Sequence, residues 1–261
     1  MPLPSTFFVL GTIAILAAAQ PLHAAPNSWF GTWTLDRTRS HLTGTTIQIA
    51  RTEHGYHFDF GAVMFDIGDD GAFYQTVPGR TTSLKALNDH EWLRIHRNQG
   101  KDVDRSTLRV SPDQNTLTID TQAISPDGST HTSQEVEQRI GSGEGLAGTW
   151  RTTEAGQNVP TTITLAALSG GRIQMGAPQD GNYFVVIPNG PPAANQGPRA
   201  VPDAGLILRE PSPTELRWTE TLGGKPFQEG IDKLEDDGSL LETSWYDHFP
   251  ADRQRATYLR Q

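Results

Sequence analysis

Apolar and polar residues alternate with a period of two along much of the chain after residue 27. The run from Gly55 to Gly61 shows it most cleanly: Tyr56, Phe58 and Phe60 fall on one face, His57 and Asp59 on the other. Ile47 and Ile49, Leu93 and Ile95, and Leu117 and Ile119 repeat the pattern. Such segments are half-buried strands with one wet face, the kind antiparallel sheets carry. Turn signals separate them at Asp70-Gly71, Pro78-Gly79, Asn98 to Gly100, Asp127-Gly128, Asp180-Gly181 and Asp237-Gly238. Asp-Gly suits tight hairpins, because Gly tolerates positive φ and Asp can bond the local backbone. The pattern predicts about nine or ten strands before Ile140 and about eight or nine after Ala147.

Between the two sets lies IGSGEGLAG, a glycine-rich stretch that reads as a domain linker. Gly-Thr-Trp occurs once on each side of it, with Trp33 in the first half and Trp150 in the second, so the repeat is at the scale of a domain. Pro188 to Asp203 stands apart. Its prolines and glycines argue against a central strand and predict a long surface loop, either a lid or a tolerated insertion.

Composition adds to the strand-rich picture: 35% hydrophobic residues, with 26 Gly and 18 Pro. The net charge of -9 is spread over both halves without a basic run, which sets nucleic acid aside as a partner. Phe7 to Ala19 is almost wholly apolar, the length of a signal-peptide core, and small residues offer cleavage after Ala24 or Ala25. The expected address is periplasmic or secreted, with a soluble mature chain. The absence of cysteine excludes disulfides, thiol nucleophiles and Cys-based zinc sites.

No motif commits the chain to a reaction. His54 and His57 are three apart, which on a strand points them to opposite sides, and His57 with Asp59 reads as a polar outer face. The stretch from Asp66 to Gly71 resembles the opening of a calcium loop but has Gly68 at the third position and Val77 at the twelfth, so a hairpin turn is expected there. There is no Gly-x-Ser-x-Gly, no His-Glu-x-x-His and no phosphate-cradling loop, and neither a cofactor nor a metal is expected. The aromatic residues are the better lead for ligand binding: Trp92, Trp245, and Trp218 with Glu220. Leu216, Trp218, Glu220 and Leu222 share a face. If that face lines a cavity, Glu220 could orient a polar group of a ligand; if not, Glu220 is exposed near a strand end.

Gly31-Thr32-Trp33, continued by Leu35, Asp36, Arg39 and Ser40, resembles the opening of lipocalins and more specifically of exported bacterial lipocalin-like domains. Val110, Ser111, Asp113, Thr116, Leu117 and Thr118 extend the resemblance, with Gln114 where the pattern has Gly. It implies an all-β protein of two tandem antiparallel up-and-down lipocalin-like barrels: residues 26–142 and 143–261, after a signal peptide of residues 1–25. It also implies that Trp33 and Trp150 close the barrel floors, under arginines from the last strands, for which Arg139 and Arg260 are placed late in each half. The implied function is binding of a small hydrophobic or amphiphilic molecule. Two alternatives stand beside it: an envelope interaction protein with filled barrels and an aromatic patch such as Trp92 and Tyr246, or a barrel enzyme using converging groups such as Glu220, Tyr183 and His248.

Overall fold

The computed structural model describes residues 29–61, 63–157, 161–177 and 181–261; the signal-peptide expectation lies outside the described residues. The first half forms β1 (Gly31–His41), β2 (Thr46–Arg51), β3 (Gly55–Asp59), β4 (Met64–Gly68) and β5 (Asp70–Val77). It continues with β6 (Arg80–Asn88), β7 (Glu91–Asn98), β8 (Lys101–Val110), β9 (Thr116–Ile124) and β10 (Thr130–Arg139). The second half forms β11 (Gly148–Gln157), β12 (Thr162–Leu168), β13 (Arg172–Ala177), β14 (Asn182–Val186) and β15 (Ala193–Gln196). It ends with β16 (Ala204–Ser212), β17 (Glu215–Leu222), β18 (Lys225–Leu234), β19 (Leu240–Tyr246) and β20 (Phe249–Arg260). The protein is all-β, with two antiparallel 10-stranded sheets, one a closed barrel and one nearly closed.

The barrels exchange their first strands. β2 to β10 run as a meander, but the strand that joins β10 to β2 is β11, from beyond the linker. Reciprocally, β12 to β20 are closed by β1. The linker near residue 143 falls between β10 and β11, yet neither barrel is a contiguous segment, so a division into 26–142 and 143–261 cuts both. The crossovers leave from the strand ends opposite the Gly-Thr-Trp floors, which sets the barrels mouth to mouth. Residues of the two barrels touch accordingly: Asn98 Nδ2 donates to the Arg199 carbonyl at 2.9 Å, the His248 amide to the Gly61 carbonyl at 3.2 Å, and Arg151 of β11 pairs with Asp252 of β20 at 3.0 Å.

At each floor the same geometry recurs. Trp33 and Trp150 are fully buried, and each indole N–H donates at 3.0 Å to the carbonyl four residues earlier, of Trp29 or Leu146. Arg260, directly across the ladder from Trp33, lies 4.7 Å from its ring; Arg139, across from Trp150, lies 3.9 Å away. Each tryptophan thus meets the arginine of the opposite half of the sequence. Arg139 also donates to the carbonyls of Gln114, Ala147 and Gly145 at 2.5, 2.5 and 2.7 Å. Gly148 has φ 154°, and a Cβ there would collide with that guanidinium. Gln114 holds φ 63°, the conformation glycine favours, and its side chain takes the Gly145 amide at 2.8 Å.

Two sequence expectations change. Asp70-Gly71 is not a hairpin turn: β4 and β5 share no ladder, and this corner is the seam where the first barrel stays open. The Pro-rich stretch is not only a loop. Its proline-free centre forms β15, which bridges β14 and β16 with two residue pairs on each side. The remainder braces the first barrel through Arg199, which bonds the Ile124 carbonyl, and Pro202, which lies over Gly79.

Strand exchange predicts that the halves cannot part. After cleavage at a protease site inserted following Gly141, the two fragments should co-elute on size exclusion, and each half expressed alone should be unfolded. Separate elution of two folded fragments would contradict the topology.

Candidate functional site

The two barrel interiors differ. The first is filled: Phe58, Phe60 and Phe65 stack with centroids 5.5 to 5.9 Å apart, above Trp92, Leu84, Leu108 and Trp150. The second contains a cavity of about 480 Å³, extended at the mouth by Val63, Val77 and Arg80 of the first barrel. Small residues make the room. Gly176, Ala177 and Ala204 line it, and β14 and β15 are short. Leu165, Met175, Phe184 and Leu206 form an apolar wall.

The other wall is acidic. Glu220, Asp232 and Glu242 face the cavity from β17, β18 and β19, and Asp232 lies directly across the ladder from Glu242. The Trp218 indole N–H donates to Asp232 at 3.0 Å. Gly230 permits this, since a Cβ there would run into the indole. Burial pushes the Glu220 carboxyl up to about 7. Asp232 and Glu242 are also raised by burial; the charges of Asp232 and Glu220 add to the effect on Glu242, and the Ser244 side chain partly offsets it. The Tyr258 phenol is raised by burial and by Glu242 and Asp232. A smaller cavity of about 250 Å³, beside Arg37, Glu135 and Tyr258, shares Gln228 and Glu242 with the first, so Glu242 stands where the two meet.

Across the junction, the first barrel presents a polar layer. Burial lowers the Arg94 pKa, opposed by Asp104 and Glu135, and its guanidinium reaches the Ser106 hydroxyl at 3.3 Å. His96 bonds Asp104 at 3.0 Å, and burial lowers its pKa. Deeper in, Glu137 is fully buried against the Thr152 hydroxyl at 3.1 Å, with its carboxyl pushed up to about 8 by burial.

Of the sequence candidates, Trp218 and Glu220 line the cavity. Trp92 does not: it is buried in the first barrel's core, edge-on to Tyr56 with centroids 6.3 Å apart. Trp245 points outward, bonded to Glu229 at 3.0 Å beneath Arg253, because the inner face of β19 is Leu240, Glu242 and Ser244. Tyr183 lines the cavity with Glu220, whereas His248 sits outside it, 3.4 Å from Asp59. Trp92 and Tyr246 do not form an exposed patch, since Trp92 is core and Tyr246 is half-buried, with its Cβ side against Gly61 of the first barrel. Asp232 and Glu242 were missed. The alternation Gly230, Asp232, Leu234 and Leu240, Glu242, Ser244 carried the signal, but Ile231 and Leu241 give the opposite faces competing apolar residues. No protein-family model, curated protein or solved structure matches the chain.

The raised carboxyl of Glu220 has a thermodynamic consequence. A group that holds its proton more tightly when folded stabilises the fold fully below its unfolded pKa, near 4.5, and that contribution is lost as pH rises through about 7. Glu220→Gln should therefore match the wild type near pH 4.5 and exceed it by about 1–3 kcal/mol at pH 8, a gain of several degrees in thermal midpoint. Melting curves at the two pH values check this; a variant less stable than wild type at pH 8 contradicts it.

Proposed function

We propose that this chain is an exported, lipocalin-like binding protein that holds a small hydrophobic or amphiphilic molecule in its second barrel. The observation that carries the reading is the cavity of about 480 Å³, within the range that small-molecule sites occupy, with an apolar wall facing a few polar groups. Removing the ligand's apolar surface from water would supply affinity, at about 25 cal/mol per Å², and the acidic wall would orient its polar end. The lipocalin-like assignment draws on Gly-Thr-Trp at the start of each closing strand and on the arginine over each tryptophan. Export to the periplasm or the medium rests on the apolar N-terminal segment. The filled first barrel would serve as scaffold and as a wall of the junction.

A second reading, catalysis on a sequestered substrate, is favoured by the same acids. Carboxyls that keep a proton near neutral pH suit general acid chemistry. It would show as chemical change of a bound molecule, where simple binding returns the molecule intact.

The binding reading is tested by titrating the purified protein with N-phenyl-1-naphthylamine, a neutral apolar dye. Saturable fluorescence enhancement is expected, and Leu206→Trp, which fills the cavity, should weaken it at least tenfold while leaving the far-ultraviolet circular dichroism unchanged. No saturable signal, or a signal indifferent to Leu206→Trp, would overturn the reading.

A further inference from the structure

The charged groups that the second barrel's own strands β17, β18 and β19 turn into its cavity are all acids, and Arg80 of the first barrel lies at the mouth. Among the described residues no lysine or arginine forms an ion pair with Glu220, Asp232 or Glu242, and no basic group enters the causes that shift them. Glu220 has no hydrogen-bond partner, Asp232 has the Trp218 indole, and Glu242 has Ser244. Beside them is a second kind of observation. Asp232 is 2% exposed and stands in the cavity wall directly across the ladder from Glu242, so two carboxyls meet there, with the Trp218 indole as the one donor hydrogen-bonded to Asp232 among the described residues. A carboxylate in a cavity wall without a protein donor leaves free energy unrealised, and a ligand that donates to it recovers it.

Resting on the binding function proposed above, we infer that the cavity recognises a protonated amine at the polar end of its ligand. The ligand is an alkylammonium-type amphiphile whose hydrocarbon lies on Leu165, Met175, Phe184 and Leu206. Its N–H groups donate to the Glu220 and Glu242 carboxylates. An ammonium offers donors and a compensating charge together, and charge-assisted bonds are about twice as strong as neutral ones. A fatty carboxylate would instead set a like charge beside three acids.

Recognition of an ammonium makes binding depend on pH. The groups facing the acids are Gln228 and Asp232 on β18, Ser244 and Tyr246 on β19, Tyr258 on β20, Glu135 on β10, Arg80 at the mouth and Arg37 in the adjoining cavity. Arg37 is engaged by the Ala155 carbonyl at 2.8 Å. Burial keeps the acids largely protonated below neutrality, so the incoming cation must displace protons there. Affinity for the amine therefore rises from pH 5.5 to 8.5. The amine itself stays charged throughout, with a pKa near that of a lysine side chain, about 10.4.

The experiment is isothermal titration of the full chain with decylamine, 1-decanol and decanoate at pH 5.5 and 8.5. Decylamine should bind at least tenfold more tightly than 1-decanol at pH 8.5, with the ratio falling to within about threefold at pH 5.5. Glu220→Gln should abolish the preference at pH 8.5, and Glu242→Gln should reduce it. Glu137→Gln, which removes a buried acid outside the cavity, should keep it. Equal binding of amine and alcohol, tightest binding of decanoate, or an amine preference that survives Glu220→Gln would overturn the inference while leaving the binding function standing. Binding of none of the three probes, together with no saturable dye signal, would overturn both.

Discussion

Completion of each sheet by a strand from the other half is the constraint on which everything else depends. An open sheet edge exposes unpaired backbone donors and acceptors, and a barrel removes its edges by pairing its last strand with its first. Here β20 pairs with β1 across nearly the full length of the chain and closes the second barrel, while β11 links β10 to β2 inside the first sheet, whose edges β4 and β5 stay unpaired. The arginine–tryptophan stacks are the anchors of this exchange. Each sits at a pair of directly opposed residues, Trp33 with Arg260 and Trp150 with Arg139, and fixes the register of the donated strand at the floor. A one-residue slip would turn a fully buried indole to the outside.

The exchange also determines where a site can form. Because the chain crosses between barrels at the ends remote from both floors, the mouths are held together and a mouth-lining residue of one barrel becomes a wall of the other's cavity. Arg80 lines the cavity of the second barrel in this way, and Glu135 borders the adjoining one. The Pro-rich segment reinforces the arrangement: Arg199 reaches the first barrel, while β15 completes the ladder between β14 and β16. Opening the junction would break these contacts together, so access to the cavity is a property of both barrels.

How far the chain could be read in advance follows from what each residue's neighbours do. Period-two patterning and Asp-Gly turns are local, and they located the strands, including those around Tyr56, Ile95 and Ile119. Gly-Thr-Trp and the late arginines are also local, and they marked the floors. Which half each closing strand joins is non-local: β1 is followed by only Leu42 to Thr45 before β2, and nothing in those residues says that the chain changes barrel. The site was half legible for a related reason. Trp218 and Glu220 alternate with Leu216 and Leu222, so their face was unambiguous. On β19 both faces carry large apolar residues, and only the ladder from β18 to β20 decides that Glu242 points in and Trp245 out.

Three carboxyls in the interior of a barrel are a cost. Each buried ionisable group either pays to remain charged without a partner or surrenders its charge by holding a proton, and the raised pKa of Glu220, Asp232 and Glu242 is the second outcome. The first barrel shows that this chain can fill the same architecture, with phenylalanine, tryptophan and leucine beside a buried polar layer. Leaving the second hollow forgoes packing contacts, and lining it with acids forgoes more. Departures of this kind from a well-packed apolar core are where function is expected to reside. The cavity and its acidic wall coincide on β17, β18 and β19, so one occupant with an apolar body and a basic end would offset both costs at once.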